Sequence, residues 1–245
     1  MEKEYYPIIV LIIASDNSQL YLEQKKESLE YYSKFSDKIK FFYLYCKPED
    51  QSNEYDLCFS GCDESIYPGI FYKTAKAVQF INKFYNYDFL VRTNLSTFWN
   101  LNNLISFVET IPKTNYATGH CVLSHGGTSG FSHGLSFIGG IAIILTKDIA
   151  DNLFVNNDPF SDLGYLKMED DVFIGYLLTK NGYPMSKIKK FTMKHLVDNI
   201  YNESIINSMS KDEFDNILLF RIKNSFDRNI DIQYVKLLKK KIYNL

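Results

Sequence analysis

Residues 7 to 14, Pro-Ile-Ile-Val-Leu-Ile-Ile-Ala, form an apolar run of strand length with no polar interruption. A strand wet on one face alternates, so an unbroken run reads as a strand covered on both faces, the pattern of a parallel sheet with helices on either side. Ser15-Asp16-Asn17-Ser18 then turns the chain into a polar helix reaching about Lys34, and Ile39 to Cys46 is a second strand. A β-α-β opening of this kind keeps its ligand at the carboxyl ends of the strands, here beside Ser15 and Asp16. No glycine-rich phosphate loop occupies the turn, which excludes a dinucleotide fingerprint and a P-loop.

At 245 residues the chain can bury one substantial core, and a single domain over residues 1–245 is expected, with a C-terminal helical segment from about 205 packing on it. A net charge of -2 and a pI near 6.1 argue against a nucleic-acid surface, which needs clustered Lys and Arg. A small molecule or a glycan is the better-matched partner, and the 19 Tyr and 19 Phe, mostly core, include side chains suited to stacking on sugars or bases. No apolar run approaches the roughly 20 residues of a membrane span, and no signal peptide is evident. Cys46, Cys58, Cys62 and Cys121 lack the paired spacing of a zinc site and read as free thiols of a soluble cytoplasmic protein. The Asn, Lys and Ile bias fits an AT-rich genome, a viral one included.

Residues 47 to 69 read as an irregular connection. A helix from about Phe71 to Phe84 follows, with Ala75, Val78, Ile81 and Phe84 on its inner face, then a strand over Tyr87 to Thr93 and a short helix over Leu101 to Glu109. Tyr116 to Val122 is a strand, and residues 124 to 134 form a glycine-rich loop carrying His125 and His133, of the kind that closes over a substrate. Phe137 to Leu145 is a strand whose Gly139-Gly140 pair permits close backbone approach. Lys147 to Phe154 is helical and Phe191 to His195 is a strand. Two helices, about Lys211 to Phe220 and Ile230 to Ile242, finish the chain.

The most chemically pointed stretch is Glu169-Asp170-Asp171, three carboxylates running into the apolar Val172 to Leu178 and stopping at Asn181-Gly182. Locally it is a helix start: acids complement the positive end of the helix dipole, and Asn-Gly supplies a left-handed C-terminal cap. Three like charges in one turn exceed what capping needs, which points to a catalytic base.

Taken in order, these pieces resemble the β1,3-glycosyltransferase and Fringe family. In that family a lysine-bearing helix precedes a strand ending in Asp-Asp-Asp-Val-Phe; a strand with a Gly-Gly pair leads to a Ser/Thr-Arg/Lys-Asp helix start; Glu-Asp-Val-x-x-Gly follows. Here the corresponding residues are Tyr72-Lys73-Thr74, Phe89 to Asn100 with Arg92, Gly139-Gly140 leading to Thr146-Lys147-Asp148, and Asp170-Asp171-Val172-Phe173-Ile174-Gly175. The resemblance spans about residues 64 to 195. It implies an α/β GT-A fold, a Rossmann-like mixed sheet flanked by helices, and inverting, hexosyltransferase-like transfer from a nucleotide-sugar, a UDP-sugar by expectation, to a glycan hydroxyl. Asp171 falls on the aspartate of Glu-Asp-Val and is the expected general base; Asp170 falls on the glutamate and would orient hydroxyls. Glu169 and His133 belong on the acceptor side.

The metal-binding aspartates of the family fall on Asn94-Leu95-Ser96, which offers a hard cation no carboxylate. Either no metal is required or Mn or Mg binds weakly, and the basic Arg221, Lys223 and Arg228 are candidates to meet the diphosphate instead. His195 lies 24 residues beyond Asp171, a separation resembling that of the family's metal-coordinating histidine. Ser15 and Asp16 are expected near the uracil or ribose, Lys73 and Arg92 near the phosphates, Asn94 and Ser96 on ribose or sugar, and Gly139-Gly140 under the sugar. Plainer roles stay open: helix capping for Ser15 and Asp16, pairing of Lys73 and Arg92 with acids such as Glu64 or Asp88, close strand packing for the glycines. A GT-A-like domain that binds a nucleotide or glycan without catalysis is the alternative from another class.

Overall fold

The apolar run near the amino end is the middle of a sheet. The computed structural model describes residues 2–123, 134–197, 201–224 and 227–245. Its strands are β1 (Glu4–Ile13), β2 (Ile39–Cys46), β3 (Gln51–Ser52), β4 (Asp56–Phe59), β5 (Tyr85–Asn94), β6 (Thr97–Trp99), β7 (Ala117–Leu123), β8 (Ser136–Thr146), β9 (Met185–Lys187), β10 (Thr192–Leu196) and β11 (Ile217–Ile222). The α-helices are α1 (Gln19–Tyr32), α2 (Gly69–Phe84), α3 (Leu101–Val108), α4 (Lys147–Asp151), α5 (Asp170–Lys180), α6 (Ser204–Asn207), α7 (Lys211–Asp215) and α8 (Asn229–Tyr243). Among the described residues no helix is long and apolar enough to cross a membrane.

The chain divides into two compact units interleaved in sequence. The first comprises Met1–Ser15, Asp37–Asn94 and Ile111–Lys187. It holds an eight-stranded mixed sheet in the order β3-β4-β2-β1-β5-β8-β7-β9. β1 runs parallel to β2 and to β5, while β8 runs antiparallel to β5 and to β7. Ile8 to Leu11 are fully buried, as a strand covered on both faces requires. Helices α2 and α5 pack into one apolar core with the sheet, through Phe71, Ala75, Val78 and Ile81 from the first and Val172, Phe173, Leu177 and Leu178 from the second. Phe84, expected on the inner face of α2, is 47% exposed because it is the last residue of the helix, where the turn no longer lies over the sheet.

The second unit comprises Asp16–Ser36, Leu95–Thr110 and Ile188–Leu245. Its three-stranded sheet, β10-β11-β6, pairs β11 parallel to β10 and antiparallel to β6. Buried aromatics fill it: Tyr31 stacks on Tyr243 at 5.6 Å and packs on Phe98 at 4.6 Å. Two expectations need correction. The helix assigned to Lys211 to Phe220 ends at Asp215, and Ile217 to Ile222 is a strand, because an apolar run this short satisfies either period until a partner strand decides. The irregular connection over 47 to 69 contains β3 and β4, which extend the sheet edge beside β2.

Candidate active site

Helix α5 carries the acidic turn to its place. Asp170 and Asp171 occupy its first turn, and the chain leaves the helix through Asn181 and Gly182, the latter at φ +73°. The helix lies close against β8 because position 175 has no side chain: a Cβ there would fall 2.5 Å from Phe137 Cβ and 2.9 Å from the Ser136 carbonyl oxygen. That approach brings the first turn to the glycine pair of β8. The Gly140 N–H donates to Asp171 Oδ2 at 2.7 Å, and the Val172 N–H donates to Oδ1 at 2.9 Å. Asp171 is half-buried, and Glu169, just before the helix, is exposed.

Beneath Asp171 lies a buried pair. Asp170 is 5% exposed and forms an ion pair with Arg92, also 5% exposed, on β5; Arg92 donates as well to the Gly140 carbonyl oxygen. Burial pushes the Asp170 carboxyl up to about 6, opposed by the Arg92 guanidinium and reinforced by the charge of Asp171. A side chain at position 140 would collide with this arrangement, its Cβ 2.5 Å from Arg92 Nη1 and 3.2 Å from Asp171 Oδ2. Asn94 Nδ2 reaches the same Gly140 oxygen at 3.4 Å, and Thr93 Oγ1 donates to the Ile141 oxygen at 2.7 Å. The carboxyl end of β5, the glycine pair of β8 and the acids of α5 therefore converge in the first unit.

Lys73 enters this region from α2 and is fully buried. Its ammonium donates to the Ala14 carbonyl oxygen at 2.9 Å, at the carboxyl end of β1, and to Glu64 Oε2 at 2.6 Å. Glu64 Oε1 accepts from the Cys46 N–H at 2.8 Å, at the end of β2. Burial pushes the Lys73 ammonium down and Glu64 opposes it; Arg92 and Asp170 also lie within electrostatic reach. The result is an alternating set of charges, Glu64, Lys73, Asp170 and Arg92, under the tips of β2, β1 and β5.

Other expected site residues are placed as follows. Ser15 is half-buried just past the β1 tip; Asp16 is exposed and opens the second unit, where Ser18 rather than Ser15 or Asp16 caps α1 by accepting from the Tyr21 N–H. Gly139 is buried beside Gly140. Ser96, Arg221, Lys223 and His195 belong to the second unit. There Arg221 donates to Ser96 Oγ at 2.5 Å, Lys223 is exposed just past β11, and His195 is exposed on β10 with Arg221 as its register partner. Arg228 pairs with the buried Asp231. His125 and His133 lie outside the described residues. Lys73, expected at the phosphates, and Asp170, expected on hydroxyls, both point inward and are taken up by protein partners.

Residues 94 to 96 do not fit a divalent cation. Asn94 turns an amide donor to Gly140, Ser96 accepts from Arg221, and no carboxylate is supplied. Among the described residues no group of three or more His, Cys, Asp or Glu could hold a metal ion.

The cysteine reading is corrected by the structure. Cys46 and Cys62 form a disulfide with Cα atoms 5.4 Å apart, in which Cys58 takes no part. The chain leaving β2 returns past β4 to the same strand end, bringing together two thiols 16 residues apart that no spacing rule pairs. Glu64, two residues on, is the partner that joins this corner to Lys73; sequence reasoning offered it only as a neutralising acid.

No protein-family model matches the sequence, and no curated protein matches it at a significant level. Among solved structures the chain is similar to a glycosyltransferase involved in the glycosylation of the major capsid of PBCV-1, at 10% identity and a TM-score of 0.48, over 94% of this chain and 100% of that one. It is similar to the catalytic domain of Drosophila beta1,4galactosyltransferase 7, in complex with xylobiose, at 10% identity and a TM-score of 0.41, over 77% of this chain and 66% of that one. It is also similar to mouse xyloside xylosyltransferase 1 in its apo form, at 8% identity and a TM-score of 0.43, over 89% of this chain and 97% of that one. Likenesses this distant concern the course of the backbone, so chemistry has to be argued from the residues of this chain.

Proposed function

We propose that the chain is an inverting glycosyltransferase that moves a sugar from a nucleotide-sugar, a UDP-sugar first among them, to a glycan hydroxyl. The observation that carries the reading is the meeting of Asp171 with the Gly140 N–H at the carboxyl end of the parallel strands, where open α/β sheets keep their ligands. An acceptor hydroxyl is a poor nucleophile until a base within hydrogen-bond reach draws off its proton. Asp171 has the means: each carboxylate oxygen has about two lone-pair sites, and one on each is used by a backbone N–H. The remaining capacity is free to accept from the hydroxyl as it attacks the anomeric carbon from the face opposite the departing nucleotide. Asp170 and Arg92 act through position, fixing the turn on which Asp171 stands.

Donor diphosphate is met by basic side chains rather than by a divalent cation, since residues 94 to 96 supply no carboxylate. A chelator then leaves turnover unchanged, and strong stimulation by magnesium or manganese overturns that part of the reading. The principal test is Asp171→Asn in a UDP-release assay over a panel of donors: turnover falls by about 10²-fold or more while calorimetric UDP binding persists. Retained turnover overturns the assignment of the base. The missing carboxylates also favour a second reading, a nucleotide- or glycan-binding module without catalysis. UDP binding with no release from any donor supports that module.

A further inference from the structure

Two strand tips in the first unit are tied together by groups that the transfer chemistry does not use. The Cys46–Cys62 disulfide closes the loop between the end of β2 and the segment bearing Glu64. Glu64 then bridges the Cys46 N–H and the Lys73 ammonium, and Lys73 reaches across to the Ala14 carbonyl oxygen. The Ala14 N–H in turn donates to the Leu44 oxygen at 3.3 Å, and Asn94 follows the residue paired with Ile12 on the neighbouring β5. Lys73 has no exposed surface, so its ammonium serves the fold from within. A buried cation on a backbone carbonyl holds that carbonyl only as firmly as its carboxylate partner is held. Here that partner sits two residues from a covalent cross-link.

We infer that the Cys46–Cys62 disulfide, Glu64 and Lys73 form a clamp that positions the β1 tip at Ala14-Ser15, and that nucleotide binding weakens when the disulfide is reduced. The nucleotide half of this inference rests on the transferase reading above; the clamp itself does not. In the redox step a dithiol supplies two electrons and two protons, the Sγ–Sγ bond breaks, both cysteines become thiols, and the reductant closes to its own disulfide. Glu64 is then anchored only by the Cys46 N–H and its ion pair with Lys73, without the covalent link, and the carbonyl that Lys73 holds gains freedom.

The test compares the full chain before and after treatment with dithiothreitol, by amide hydrogen exchange and by UDP calorimetry. On reduction, exchange over residues 14 to 17 speeds up while α5 and β8 keep their protection, and UDP affinity falls by about 5-fold or more, the low end of coupling between sites in one protein. Reoxidation restores both. Donor KM rises with kcat unchanged at saturating donor, which a general loss of structure would not produce. The Cys46→Ser/Cys62→Ser double variant behaves as the reduced protein, Glu64→Ala reproduces it without reductant, and Glu64→Gln, which keeps a hydrogen-bonding side chain, recovers part of the affinity. Unchanged exchange at residues 14 to 17, or loss of protection throughout the unit, overturns the clamp. Unchanged UDP affinity alongside faster local exchange overturns its link to nucleotide binding. Failure of both redox forms to bind UDP, with the exchange difference present, overturns the transferase reading and leaves the clamp standing.

Discussion

Replacing Arg92 with methionine keeps the length of the side chain and removes the cation beneath Asp170. Asp170 is 5% exposed, and its carboxyl is already pushed up to about 6 by burial, with Arg92 the largest influence holding it down. Without Arg92 its proton is held to a higher pH. An unfolded aspartate titrates near about 3.9, so over the window above that value the folded state binds the extra proton. The stability contributed by this group is therefore full below about pH 4 and is lost as pH rises through the folded value. In the parent protein the loss is complete slightly above pH 6; in Arg92→Met it continues upward, and the gap widens by about 1.4 kcal/mol per pH unit. About pH 5, where both proteins hold the proton, the variant is weaker by about 1–3 kcal/mol for the lost charged hydrogen bond from Arg92 to the Gly140 carbonyl oxygen. Near about pH 8 the difference reaches about 3–5 kcal/mol, the cost of leaving half of a buried ion pair. Urea midpoints at constant m, taken in steps across this range, measure it. A difference that stays level from acid to alkaline side refutes the burial argument for Asp170.

Two further substitutions test the packing. Gly175→Ala places a methyl against the backbone of Ser136 and Phe137, forcing α5 off β8; about 1–3 kcal/mol of overpacking is expected, with turnover falling as Asp171 leaves the Gly140 N–H, and an unchanged melting temperature would contradict the close approach. Tyr243→Phe keeps the ring stacked on Tyr31 but strands the Leu101 N–H, which donates to the phenol oxygen at 2.7 Å, and the Trp99 carbonyl oxygen, which accepts from it at 2.6 Å; a calorimetric loss of about 1–3 kcal/mol is expected, and a neutral variant would show that water replaces the hydroxyl.

Much of the first unit was legible because its strands are long and its helices punctuated. β1 belongs to an apolar run of eight residues and β2 to one of six, β8 is apolar on both sides of its glycine pair, and α5 announces itself by acids at one end and Asn-Gly at the other. β3, β6 and β9 are two or three residues long, too short for any period to register, and exist only because a neighbour supplies hydrogen bonds. β11 was hidden for a different reason: Phe214, Ile217, Leu218 and Phe220 also suit one face of a helix, and the strand emerges only when β10 and β6 flank it. At the candidate site the acidic turn and the glycine pair were visible as types. That Lys73 and Arg92 are buried was not, since a cation in an apolar stretch reads the same whether its head reaches water or an internal acid.

The order in which strands enter the smaller sheet bears on how the polypeptide can mature. β11 lies between β10 and β6, and it is the last of the three to leave the ribosome. Until residue 217 emerges, Thr97 to Trp99 has no β-ladder partner on that side, so the aromatic Phe98 and Trp99 stay unsatisfied through more than a hundred codons of synthesis. Closure over such a sequence separation is intrinsically slow. Nascent chains stalled before that point should bind a holdase chaperone, and a deletion of the tail would forfeit the whole sheet rather than merely trim an appendage.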